Sequence, residues 1–102
     1  AVQCNSLDEV RSHIDAIDDQ TIALIGGRGQ YAVQASAFKK DEEGVRDTNR
    51  MERVIAKVRG KAERCGANPD VVEAIYREII SRFINMEMRE FHDHPSPTPA
   101  EA

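Results

Sequence analysis

Apolar positions recur at alternating steps of four and three along the first third of the chain. They run Val10, Ile14, Ile17, Thr21, Leu24, then Arg28, then Tyr31, Ala35 and Phe38. This heptad-like stripe predicts one long helix over residues 7–39. Ser6-Leu7-Asp8-Glu9 opens it as a capping box, with Ser at the N-cap and Glu three residues on. Gly26, Gly27 and Gly29 oppose continuity, at roughly 1 kcal/mol each relative to Ala. A break at the GGRG segment is the competing reading. The stripe keeps its phase across the glycines, which favours the unbroken helix. Small residues there also let a partner backbone or a ligand come close.

Residues 40–44 (KDEEG) read as a polar loop. A second helix is expected from near Asp47 or Thr48, with Met51, Val54, Ile55, Val58, Ala62 and Cys65 on its apolar face and Gly66 as its C-cap. Asn68-Pro69-Asp70 supplies the N-cap and first two positions of a third helix. Its face is Val72, Ile75, Tyr76, Ile79, Ile80, Phe83, Ile84, Met88 and Phe91, and it runs out near His92–His94. Residues 95–102 (PSPTPAEA) form a low-complexity tail without apolar anchors, expected to be disordered. No segment alternates with period two. The fold class is all-α, with three helices in one domain over residues 1–94. A helix over residues 7–39 spans about 50 Å at ~1.5 Å per residue, against a radius of gyration of about 13 Å for a globule of this size. Much of its stripe then needs cover from another subunit, and an intertwined homodimer is the simplest closed arrangement.

Composition narrows the classes. A net charge of −4, with two Tyr, three Phe and no Trp, opposes nucleic-acid binding and base-stacking platforms. No apolar run approaches the ~20 residues of a membrane span. Cys4 and Cys65 are far apart and form no CxxC pair. Free thiols in a reducing compartment, hence the cytoplasm, are expected; a bridge between them or a reactive thiol is the alternative. The start at Ala1, without Met or a signal-like apolar block, is read as processed or trimmed.

Four charged residues break the solvated-face pattern. Arg28 occupies a stripe position between Leu24 and Tyr31. Lys39 lies eleven residues beyond it, which on a helix at ~100° per residue returns it to nearly the same face. Two such cations can clasp a small dianion. The alternative is an Arg28 paired structurally with a carboxylate. Glu87 falls between Phe83 and Phe91 on the apolar face of the third helix, where desolvation favours the neutral acid; its alternative is a salt bridge to a stripe Arg. Arg50 lies at the start of the second helix. Gly26-Gly27-Arg28-Gly29 lacks the Lys-Ser/Thr of a phosphate loop, no Ser/His/Asp set is suggested, and His92-Asp93-His94 is too sparse for a metal site. Neither metal nor cofactor is expected.

Taken together, Leu7-Asp8-Glu9-Val10-Arg11, Ile14-Asp15-Ala16-Ile17-Asp18, Leu24-Ile25-Gly26-Gly27-Arg28, Lys39, Val45-Arg46-Asp47-Thr48-Asn49-Arg50 and Ile79-Ile80 through Glu87 resemble the all-helical (type II) chorismate mutase family. The resemblance covers about residues 6–91. It implies a domain-swapped dimer of three-helix chains in which each active site draws on both subunits. It also implies a small dianionic substrate, chorismate, rearranged to prephenate on the shikimate route to aromatic amino acids. By the same resemblance Arg11, from the partner, and Arg28 hold the two carboxylates. Lys39 donates to the ether oxygen and a carboxylate. Asp47 and Arg50 match further site positions, and Glu87 matches a family Gln that donates to the ether oxygen. Tyr31, Met51 and Phe83 are candidate pocket walls. Arg11 and Arg28 are about 25 Å apart on one helix, too far for a single small ligand unless one comes from another chain. A unimolecular Claisen rearrangement needs no nucleophile, metal or redox group, which suits a sequence without those motifs.

The chain departs from the family in two places. Met51 stands where a Glu often follows the Arg, and Glu87 replaces the Gln. Cys4-Asn5-Ser6-Leu7, together with Gln30-Tyr31 through Phe38-Lys39, also resembles a sister group, the isochorismate-pyruvate lyases that form salicylate and pyruvate. Val45-Arg46-Asp47 favours the mutase. A non-catalytic helical interaction module is the third reading.

Overall fold

The computed structural model describes residues 1–93; the low-complexity tail and His94 lie outside the described residues. The elements are α1 (Leu7–Ser36), α2 (Glu42–Arg46), α3 (Thr48–Cys65) and α4 (Pro69–Asp93). No strand occurs among the described residues, so the all-α class holds, as three long helices and one short one. None of these helices is long and apolar enough to cross a membrane. The chain divides into two compact units, Ala1–Tyr31 and the part from Ala32 onward.

The first unit is the bulk of α1. Ser6 caps it as expected, its Oγ accepting from the Glu9 N–H at 3.1 Å, while Glu9 Oε2 reaches one residue beyond the N-cap and accepts from the Asn5 N–H at 3.1 Å. The helix runs through Gly26 and Gly27 unbroken, and a methyl group at either would meet nothing within 4 Å. Thr21, the uncharged polar member of the stripe, satisfies its hydroxyl by donating to the Ile17 carbonyl at 2.9 Å. Every large apolar side chain from Leu7 to Tyr31 is exposed, Leu24 at 73% and Tyr31 at 75%. Covering each fully is worth roughly 1.5–3 kcal/mol.

In the second unit α1 ends at Ser36, three residues short of the expected boundary. The chain tightens into three-residue turns there: the N–H groups of Ala37, Phe38 and Lys39 donate to the carbonyls of Gln34, Ala35 and Ser36 at 3.2, 3.0 and 3.2 Å. Phe38, expected on the stripe, is 85% exposed. The segment expected to be a loop contains the start of α2. Asp41 is extended and its Oδ1 accepts from the Gly44 N–H at 2.8 Å, with Glu42 and Glu43 in the first turn. Five residues are too few to display a helical period.

Asp47 makes the corner into α3. Its φ of 26° is positive, a conformation Asp tolerates better than most residues. Its N–H closes α2 on the Glu43 carbonyl at 2.8 Å, and its Oδ1 caps α3 by accepting from the Arg50 N–H at 3.0 Å. Gly66 ends α3 in the left-handed conformation (φ 82°), where only glycine is free of steric cost, and the Ala67 N–H reaches the Ala62 carbonyl at 2.9 Å. Asn68 Oδ1 then accepts from the Asp70 N–H at 2.9 Å and opens α4.

Both α2 and α3 pack on α4. Among the described residues, Val45, Ile55, Ala62, Ile80 and Phe83 are the buried apolar ones. Cys65 and Ile75, expected on apolar faces, are exposed. Beside this small core runs an ion-pair chain. Arg59 donates to Asp70 at 3.0 Å and to Glu73 at 2.7 Å; Arg77 donates to Glu73 at 2.8 Å and to both Glu52 oxygens at 3.2 and 3.3 Å. Hydrogen bonds from Arg77, then from Arg59, hold the Glu73 carboxyl below its ordinary value. A depressed folded-state value contributes stability that is present above the unfolded pKa, about 4.3 for Glu, and is lost as pH falls through the folded one. The thermal midpoint should therefore decline on acidification below about pH 4.3, and Glu73→Gln should lower it at pH 7 while flattening that acid decline. Equal acid slopes for Glu73→Gln and the parent, followed by circular dichroism, would remove Glu73 from this role.

Candidate active site

The expected site residues are distributed over both units. Arg11, Arg28 and Tyr31 belong to the first; Lys39, Asp47, Arg50, Met51, Phe83 and Glu87 belong to the second.

On α1, Arg11 is exposed, in the second turn behind the capping box. Arg28 is half-buried although its stripe neighbours Leu24 and Tyr31 are exposed. The unbroken helix keeps the two guanidiniums' Cα atoms about 25 Å apart, so one chain cannot close both on a single small dicarboxylate. Tyr31 is exposed in the chain by itself.

Lys39 is placed differently from expectation. It lies beyond the end of α1, so helical phase does not relate it to Arg28. The Ser36 carbonyl accepts its N–H, and its stem lies over Gly44: a Cβ on that glycine would stand 3.7 Å from Lys39 Cβ and 3.9 Å from Cδ. Lys39 is thus half-buried, with its position set by the turn before α2.

Asp47 has a defined structural task, because one carboxylate oxygen caps α3. It lines an open cleft of about 480 Å³ with Glu43, Arg46, Thr48 and Asn49. Arg50, whose N–H it holds, presents an exposed side chain. Met51 is half-buried one residue on, and Phe83 is buried on α4. Glu87 is half-buried one turn after Phe83. The ion-pair chain of Arg59, Glu73, Arg77 and Glu52 was missed in the sequence; its one local signal is the four-residue spacing of Glu73 and Arg77.

The set joins four cations, Arg11, Arg28, Lys39 and Arg50, with two carboxyl groups, Asp47 and Glu87, on a helical scaffold whose long stripe is exposed in the first unit. A family model for chorismate mutase type II matches residues 10–88. The chain belongs to that family. It is also similar to an isochorismate pyruvate lyase from Pseudomonas aeruginosa, 28% identical over 86 residues that make up 84% of this chain and 85% of the relative.

Proposed function

We propose that the chain is a chorismate mutase acting as an intertwined homodimer. The observation that carries this reading is Arg28, a half-buried cation between the exposed Leu24 and Tyr31 of the apolar stripe, in a chain whose family acts on chorismate-like dicarboxylates. Each site takes Arg28 from one subunit and Arg11 from the other. Their planar guanidiniums grip the two carboxylates in paired hydrogen bonds. Held at both ends, the substrate is confined to the compact chair-like conformer in which the side chain lies over the ring. The ether C–O bond breaks as the new C–C bond forms, and the electrons shift in one cycle with no proton to place. Charge grows on the ether oxygen, where Lys39 and a neutral Glu87 donate. Asp47 fixes the α2–α3 corner and so the position of Arg50.

A second reading is favoured by the name of the lyase relative, together with Met51, Tyr31 and Phe38. The same cations would hold isochorismate while the ether bond breaks and a ring hydrogen passes to the departing side chain, giving salicylate and pyruvate. Offering the purified protein chorismate and isochorismate separately, with product identification, decides between them. Prephenate from chorismate is the expected product. Salicylate plus pyruvate from isochorismate alone would install the second reading, and no turnover of either would leave a non-catalytic helical module.

A further inference from the structure

The first unit carries a cluster that the proposed reaction does not use. The ligand atoms of Cys4, Glu9 and His13 all lie within 4.8 Å of one another. We propose that these three side chains bind a borderline-soft divalent transition-metal ion, of the zinc class, at the start of α1.

The placement is built by the helix start. Glu9 and His13 are one turn apart and share a face. The turn through Asn5 and Ser6 brings Cys4 back to them, and Cys4 and Glu9 are half-buried while Asn5, Ser6, Asp8 and Val10 are exposed. The capping box orients Glu9 through one oxygen, which accepts from the Asn5 N–H at 3.1 Å. Such a hydrogen bond to a ligating carboxylate fixes its direction, and the other oxygen is left to bind the ion. Cys4 Sγ lies 3.7 Å from the Val2 carbonyl, a weak contact that a metal bond readily replaces.

Ligand chemistry selects the ion. One thiolate, one imidazole and one carboxylate suit zinc and its neighbours, whereas magnesium and calcium require oxygen ligands throughout. Around tetrahedral zinc, bonds of about 2.0–2.3 Å set ligands roughly 3.5 Å apart. The present separations, all within 4.8 Å, need shorten by no more than about 1.3 Å to reach that. Water fills the fourth position. On binding, the Cys4 thiol gives its proton to solvent and its sulfur lone pair goes to the metal, so occupancy falls on acidification. Arg11 lies about 200° round the helix from Glu9, which keeps its positive charge off the ion. The bound metal ties the segment before α1 to the second turn of the helix.

Zinc is titrated into the chain against a chromophoric chelator, and cobalt(II) is added separately to read the ligand set. One zinc per chain is expected, and cobalt should give a near-ultraviolet thiolate charge-transfer band with visible bands of tetrahedral strength. Cys4→Ser and His13→Ala should each weaken zinc binding about tenfold or more and abolish the thiolate band or alter the visible bands, respectively. Cys65→Ser should change neither. Cys4 precedes α1 and His13 is exposed in its second turn, and far-ultraviolet dichroism checks that helicity is kept. Zinc binding no tighter than in a Cys4→Ser/His13→Ala double variant, or a thiolate band that disappears with Cys65→Ser, would overturn the site.

Discussion

Arg11→Ala and Arg28→Ala should each give a homodimer with almost no turnover, and mixing the two variants should restore activity. Each homodimer lacks one of the two cations in both of its sites. In a mixed dimer, the chain retaining Arg28 faces the chain retaining Arg11, which makes one complete site and one doubly deficient site. Random exchange of subunits then returns about a quarter of the sites, since half the dimers are mixed. Leaving one substrate carboxylate without its charged partner costs about 2–5 kcal/mol, a loss of about 30-fold to several thousand-fold in kcat/KM. Lysine should rescue either position poorly, because a point charge does not reproduce the planar fork. The geometry that motivates this is the unbroken α1 between the two residues, together with its exposed stripe. Sedimentation should give twice the 11.4 kDa of one chain. A mass of one chain at micromolar concentration, or no recovery on mixing, would end the shared-site reading.

What could be read from the sequence was local. Ser6 with Glu9, Gly66, and Asn68 before Pro69 mark helix ends through hydrogen bonds within a few residues, and each cap forms, Glu9 reaching back to the Asn5 N–H one residue beyond the N-cap. The stripe from Val10 to Tyr31 shows its period over many turns, enough to outweigh the glycines. By contrast, α2 has no period to show, and its signal is a single Asp41 cap ahead of two acidic residues. The end of α1 was missed because Ala35, Ala37 and Phe38 continue an apolar pattern that the turn at Ser36 interrupts. That shift changes how Lys39 is understood: it is placed by a turn over Gly44 and not by helical phase from Arg28. The Arg59–Glu73–Arg77–Glu52 chain joins residues far apart in sequence, and only the packing of α3 on α4 brings them together. For Arg11 and Arg28 the sequence carries their separation along α1, about 25 Å, and a site built from two chains is not written in any one chain's packing.

Glu87 should leave a pH signature that separates a donor from a structural carboxylate. It sits half-buried on α4, one turn beyond the buried Phe83. An ionised carboxylate only accepts hydrogen bonds, so Glu87 can support charge on the ether oxygen only as the neutral acid. Activity should accordingly fall as pH rises through its titration in the enzyme. Glu87→Gln supplies an amide donor at every pH. It should flatten the alkaline limb of the kcat profile and keep or raise the rate at pH 8. Glu87→Ala removes the donor and should cost about 10²-fold or more in kcat across the profile. The comparison of Gln with Ala matters most, because both remove the carboxylate and only one restores a donor. If the Gln variant and the parent fall in parallel on the alkaline side, the titrating group lies elsewhere. Glu87 would then serve as an ionised partner for a cation, and Gln, which cannot carry the charge, should lose activity along with Ala at all pH values.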